Sequence, residues 1–325
     1  MQLVVAKDGQ GDYRTIGEAI EAIPYEEPST VQIKPGIYRE KLFCDKADLT
    51  LIGEDADNTV LSWGDGASHI HADGTKFGTF RSYTAFFGGC RLNVENLTIE
   101  NTAGDGRIAG QAIAAYVDTK TAYFQNVRLL GRQDTLFAAP LPPAPRISGS
   151  FVGPRKLAPR TPSTQYYSNC SIEGDIDFIF GGAQAVFDGC EIVSLNRGES
   201  VNGYVTAPCT PNEQEFGFLF LRCHLKSSCP AETVYLGRPW RAFGKAAFLE
   251  CEMDNHIIPA GWDNWSNAEN EKTAWFAEYQ NSGAGNQPTK RVSWCKMLSK
   301  PQAERIVFHI QTLKEQCQTP KKITG

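Results

Sequence analysis

Several things are missing from this 325-residue chain, and each absence narrows its function. No run approaches the roughly 18 consecutive apolar residues that a membrane-crossing helix needs. No block of Lys or Arg occurs, and 32 basic against 37 acidic residues leave a net charge of −5, which argues against a nucleic-acid partner. The ten cysteines include no C-x2-C pair, so a zinc site has no support in the sequence. The opening Met1-Gln-Leu-Val-Val-Ala-Lys-Asp8 lacks a basic n-region, an adequate apolar stretch and a small-residue cleavage site. The chain as it stands is therefore expected in the cytoplasm, or outside the cell if a leader has been removed. The middle of the chain shows no amphipathic helix between strands, which excludes a TIM barrel or a doubly wound sheet.

What is present is a well-stocked core and many turns. Six Trp, eleven Tyr and eighteen Phe exclude disorder, while thirty Gly and eighteen Pro favour many short elements over a few long helices. Five segments align without gaps: Phe87-Gly-Gly-Cys90-Arg-Leu92, Tyr167-Ser-Asn-Cys170-Ser-Ile172, Phe187-Asp-Gly-Cys190-Glu-Ile192, Phe220-Leu-Arg-Cys223-His-Leu225 and Phe248-Leu-Glu-Cys251-Glu-Met253. Val94-Glu-Asn-Leu97-Thr-Ile99 and Phe124-Gln-Asn-Val127-Arg-Leu129 repeat the pattern with an aliphatic residue in place of Cys. Side chains two apart in a strand share a face, so the Cys position and the next aliphatic are expected to point inward together. Irregular spacing between the repeats fits the coils of a parallel β-helix, from which loops of unequal length emerge. The five cysteines at that position, Cys90, Cys170, Cys190, Cys223 and Cys251, are then small buried hydrophobes and not a disulfide framework.

Helices are expected only at the ends. Thr15-Ile-Gly-Glu18 is a capping box, followed by Ile16, Ala19, Ile20 and Ile23 at helical spacing, in place to cover the open end of a solenoid. Ser299-Lys-Pro-Gln302 opens a second helix carrying Ile306, Phe308, Ile310 and Leu313, and residues 299–325 form this helix and a tail. The whole chain, 1–325, is expected to be one β-helix domain, interrupted by a long proline-rich loop at Ala138–Gln165.

Three clusters could carry chemistry: Gly131-Arg-Gln-Asp-Thr-Leu-Phe137, Gly174-Asp-Ile-Asp-Phe-Ile-Phe-Gly181 and Tyr235-Leu-Gly-Arg-Pro-Trp240. An Asp in a run such as Asp-Phe-Ile-Phe is costly to bury unless paired. Arg238, whose fork matches a carboxylate, is the natural partner for Asp177. Each cluster alone reads equally well as a turn or as packing; together they make a site.

These motifs resemble those of pectin methylesterases (pectinesterases) of bacterial type. So do Gly36-Ile-Tyr-Arg-Glu40, Gly110-Gln-Ala-Ile-Ala114, Tyr204-Val-Thr-Ala-Pro208 and Gly261-Trp-Asp263, all in family order from about Leu3 to about Gly285. The resemblance implies a right-handed parallel β-helix. It also implies that Asp177 is the nucleophile, Asp134 the general acid and base, Gln111 and Gln133 the oxyanion donors, and Arg238 the partner of Asp177. Trp240 would stack a sugar, with Phe137, Phe180 and Trp265 as further cleft residues. Such chemistry needs no metal or other cofactor, and requires Asp177 lowered in pKa by Arg238 and Asp134 raised by burial or a neighbouring charge. The expected partner is methylesterified homogalacturonan or its oligomers, acted on by a monomer with no membrane or nucleic-acid contact. The long loop would narrow the cleft towards short oligomers. Two rivals stand beside this reading: a β-helix glycoside hydrolase using the two Asp as its acid/base pair, and a non-catalytic carbohydrate-binding solenoid. The Gly-His-Gly and Arg-Ile-Lys motifs of polygalacturonases, and the acidic calcium cluster of pectate lyases, are absent. His69-Ile-His71 alternates as in a strand but has no third ligand close in sequence.

Overall fold

Each coil of the chain is built from three short strands separated by bends, and stacking the coils places like residues above like. In the computed structural model, which describes residues 1–318, the strands form parallel sheets of eleven, eight and seven strands. Sequential strands fall in different sheets, and each pairs with its counterpart one coil away, giving a right-handed parallel β-helix.

The corner between the eleven- and eight-stranded sheets is the most regular. In six successive coils two residues turn it. The first is left-handed (Asn96, Asn126, Asn169, Gly189, Arg222 and Glu250, φ 51° to 63°). The second is buried: Leu97, Val127, Cys170, Cys190, Cys223 and Cys251. Asn and Gly tolerate the left-handed region best, and once the chain has turned there the next side chain points inward. The thiols face carbonyls of the coil before, with Cys190 Sγ 3.3 Å from Tyr167 O and Cys223 Sγ 3.2 Å from Phe187 O. Beside them Phe124, Tyr167, Phe187, Phe220 and Phe248 stack at centroid distances of 4.9, 4.9, 4.5 and 4.3 Å.

Cys90 does not belong to this ladder. Phe87 ends a strand of the seven-stranded sheet, and Cys90 lies at the following corner, exposed to solvent. The match of Phe87-Gly-Gly-Cys90 to the repeat reflects side-chain spacing alone, because the corner there has a different geometry. The other four cysteines of the repeat are buried, and none of the ten is in a disulfide.

The first helix, Ile16–Ala22, is held by the reciprocal Thr15–Glu18 capping box and buries Ile16, Ala19 and Ile20 against the first coil. The second, Lys300–Gln318, lies along the outer face of the eleven-stranded sheet, burying Ala303, Ile306, Ile310, Leu313 and Cys317 against residues such as Tyr166 and Leu219. Phe308, expected on its apolar face, is 75% exposed because the buried positions follow a 3–4–3–4 spacing that omits it. The expected tail beyond 318 lies outside the described residues. The long loop occupies 139–163, between strands Leu136–Ala138 and Thr164–Ser168. It is pinned to the solenoid by the Arg155–Asp118 ion pair at 3.0 Å, and folded on itself by Arg160, which donates to the carbonyls of Pro142, Arg155 and Ala158.

Candidate active site

The outer face of the seven-stranded sheet carries an in-register row of Phe43, Phe86, Tyr116, Phe137, Phe180 and Ala207. Where the row shrinks to Ala207, a cleft of about 390 Å³ opens, lined by Gln111, Gln133, Asp134, Asp177, Arg238, Trp240, Trp265 and the loop residues Arg146, Ile147, Ser150 and Phe151.

A bulge aims Asp177 into this cleft. Strand Ile176–Gly181 pairs with Gly203–Pro208, but the register slips from Ile176↔Tyr204 to Ile179↔Thr206, so two residues oppose one. Asp177 takes the extra position with φ 50°. Phe178 and Ile179, although adjacent, then both enter the core, and the carboxylate is left on the outer face. Asp134 is also left-handed, with φ 68°, and its N–H donates to Ile176 O at 3.0 Å, which ties the two acidic segments together. With Trp265, at φ 59°, three non-glycine residues of this region line one cleft, the kind of strain that functional sites retain.

Arg238 grips Asp177 with both arms, Nε to Oδ1 at 2.9 Å and Nη2 to Oδ2 at 2.7 Å. Its guanidinium carbon lies 3.7 Å from the Tyr204 ring centroid and 3.9 Å from that of Trp265. Trp265 is held in turn by its N–H, which donates to Asp263 Oδ1 at 2.7 Å. A planar cation between two aromatic rings is fixed in orientation as well as charge. Gln111 and Gln133 both line the cleft, and Ala112 N–H donates to Gln133 O at 3.0 Å. The space for the Gln133 side chain depends on Gly106, where a Cβ would stand 2.7 Å from Gln133 Oε1.

Burial pushes the Asp134 carboxyl well above the ordinary carboxylate range; the Asp177 charge adds to the rise and Arg238 opposes it. Burial raises Asp177 as well, against the pull of Arg238. The lowering of Asp177 expected from the Arg238 pairing is therefore not found, because desolvation outweighs the cation. The order survives: Asp134 has the stronger rise and no cation of its own, so of the two it holds a proton the more tightly.

The other expected residues divide. Trp240 is half-buried at the cleft, 5.7 Å from the Phe180 ring, and both line the opening. Phe137 is fully buried beneath Phe80 and Phe180, so it supports the wall without lining it. Trp265 lines the cleft with its ring against Arg238. Tyr204, Phe80 and the loop residues belong to the site's surroundings without a mark in the sequence. Tyr204 sat in a motif with nothing in it to show stacking on Arg238, and the others come from segments distant in sequence. Among the described residues no three His, Cys, Asp or Glu are grouped to hold a metal, and no helix is long and apolar enough to cross a membrane.

Such a fold and cleft define a parallel β-helix protein with two buried carboxyl groups facing one opening. The chain belongs to the pectinesterase family, whose model matches residues 2–141 and 160–314. It is 34% identical over 314 residues to Pectinesterase 31 of Arabidopsis thaliana, covering 94% of this chain and 90% of that one. It is 31% identical over 302 residues to a pectinesterase of Petunia integrifolia, covering 89% and 73%. Among solved structures it is similar to the pectin methylesterase of carrot (TM-score 0.78, 29% identity, 93% of this chain and 89% of that). A pectin methylesterase in complex with a hexasaccharide matches with TM-score 0.76 and 29% identity, covering 93% and 94%. Residues 142–159, most of the loop beside the cleft, fall outside the family match.

Proposed function

We propose that this protein hydrolyses the C6 methyl esters of homogalacturonan, or of its oligomers, to free carboxylates and methanol. Asp177 Oδ adds to the ester carbonyl, and the oxyanion that forms accepts N–H bonds from the side-chain amides of Gln111 and Gln133. As the tetrahedral species collapses, Asp134 gives its proton to the departing methoxide, releasing methanol and leaving an acyl anhydride on Asp177. Asp134, now ionised, takes a proton from water, whose oxygen attacks the acyl carbon; collapse frees Asp177 and the galacturonate carboxyl, and Asp134 ends protonated. Arg238 keeps Asp177 ionised and aimed before the attack and stabilises the carboxylate when water releases it, and Trp240 offers a face to a sugar ring.

One observation carries the reading: a carboxylate held at both oxygens by a stacked Arg, in one cleft with a second buried carboxyl that has no cation of its own. Family membership and a structural relative solved with a hexasaccharide support the substrate class. The ten unpaired thiols favour a reducing compartment. Asp177→Asn is expected to abolish methanol release from methylated pectin while circular dichroism stays unchanged. Methanol release retained in that variant would remove Asp177 as nucleophile. From the wild type, new reducing ends in place of methanol would mean a glycoside hydrolase, and no product at all a binding protein.

A further inference from the structure

Outside the cleft, an ion pair with a buried carboxylate joins the two acidic segments. The Asp175 side chain is 1% exposed; its Oδ2 accepts from Arg132 Nε at 3.0 Å and its Oδ1 from the Ile176 N–H at 2.7 Å. The Asp175 N–H donates to Arg132 O at 3.0 Å, so the two residues meet through backbone and side chain alike. Arg132 also donates from Nη2 to Asn196 O at 3.2 Å, one coil further on. The other ion pairs at this corner among the described residues, Arg107 with Asp105 and with Glu199, stand in contact with water. An exposed pair contributes little, and a buried carboxylate is costly even when paired. Stability alone does not account for Asp175.

Its place in the chain does. Arg132 stands two residues before Asp134 and Asp175 two residues before Asp177, so the pair fastens the two segments at equivalent points. Asp175 is the entire corner between strands Ser171–Gly174 and Ile176–Gly181. What it holds is Ile176: the Asp175 carboxylate takes its N–H, and the Asp134 N–H donates to its carbonyl at 3.0 Å. With both groups fixed, the peptide entering Asp177 is held, and so is the φ of 50° that turns that carboxylate into the cleft. Gly174 permits the approach, since a Cβ there would stand 2.6 Å from Arg132 O. Resting on the esterase reading above, we propose that Arg132 and Asp175 are positioning residues of the reaction. Their ion pair fixes Ile176, and thereby the placement of Asp177 relative to Asp134 and the Gln133 amide. The pair also acts through charge. Burial and the Asp177 charge raise Asp134, and Asp175 adds to them while Arg238 opposes. Asp175 is itself raised by burial, against the Ile176 N–H, Arg132 and Arg197, and the nearby Cys229 thiol, raised by burial, feels its charge in turn.

The test uses the full chain, with methanol release from methylated pectin followed across pH at fixed ionic strength and Tm recorded for each variant. Asp175→Asn should lower kcat about tenfold or more with KM within about twofold, because the groups that meet the sugar are untouched. The alkaline limb of its kcat/KM profile should move to lower pH, since Asp134 loses a neighbouring negative charge. Arg132→Gln should lower kcat to a similar extent, and Arg132→Lys should restore part of it. The double variant Asp175→Asn/Arg132→Gln should be no slower than the worse single one, as expected of residues that act as a unit. An unchanged kcat in Asp175→Asn would overturn the positioning role and leave the esterase reading intact. A fall in kcat and Tm with the alkaline limb unmoved would mark a purely structural pair and overturn it too. No methanol from the wild type would instead overturn the esterase reading, and the positioning role with it.

Discussion

Asp134 and Asp177 share a cleft and the same burial, yet only one faces a cation, and the roles proposed for them rest on that difference. The proposed reaction needs Asp177 ionised and Asp134 protonated, so kcat/KM should follow a bell in pH, its acid limb set by Asp177 and its alkaline limb by Asp134. Arg238→Gln removes the group opposing desolvation at Asp177. Its acid limb should move to higher pH, with kcat at the optimum lower by about 10²-fold or more; pH–rate profiles of the two proteins check both. Asp134 also has a stability signature. Its folded pKa is raised, so the folded state binds the proton more tightly than the unfolded chain does, and stability is lost as pH rises from the unfolded value near ~3.9 through the folded one. Asp134→Asn should therefore match the wild type near pH 3.5 and exceed it increasingly above, by about 2 °C in Tm at neutral pH. An Asn variant whose stability advantage over the wild type is no larger at pH 7 than at pH 3.5 would contradict the raised pKa.

At the scale of the element, one backbone device appears twice with different results. A single left-handed residue turns six successive corners between the two larger sheets, and the left-handed turn of Asp177 in a bulge lifts its side chain out of the strand. At the corners the following residue needs only to be small or branched and apolar, since Leu97 and Val127 hold it as well as Cys does. Cys223→Val should change stability by less than about 1.5 kcal/mol. Phe187→Ala, in the middle of the aromatic stack, should cost about 3–5 kcal/mol; chemical denaturation distinguishes the two. The repeat was legible because stacked coils demand the same side chain at the same place. The assignment of Phe87 and Cys90 to it failed because an aromatic–x–x–Cys spacing does not say which of the three corners it turns.

At the scale of the molecule, the two ends of the solenoid are managed differently. A helix closes the first, whereas the last coils enclose an ion pair. Arg291 donates to Glu278 through Nε at 2.8 Å and Nη2 at 3.2 Å, and Glu278 also accepts from Trp262 Nε1 at 3.2 Å. Both charged side chains are almost fully buried, and Trp262 lies three residues before the tryptophan that stacks on Arg238. Arg291→Ala leaves Glu278 buried and uncompensated, at a cost of about 3–5 kcal/mol. Because the same segment carries Asp263 and Trp265, kcat should fall along with Tm; a loss of Tm with kcat unchanged would show that the end of the solenoid is insulated from the cleft.

By itself the sequence determined the stacking of coils and the two helices, and it brought Asp134, Asp177, Gln133, Arg238 and Trp240 to notice, because each leaves a local mark: a repeat, a capping box, an acidic residue inside an apolar run; Gln111 came only with the family resemblance. Only the tertiary structure decided that desolvation outweighs Arg238 at Asp177, that Tyr204 and Trp265 enclose that Arg, and that Phe137 lies beneath the cleft wall. It alone also brought Arg146 to the cleft across a loop that the sequence shows only as proline-rich. Those outcomes depend on distances between coils and on the shared desolvation of groups far apart in the chain, which no local pattern encodes.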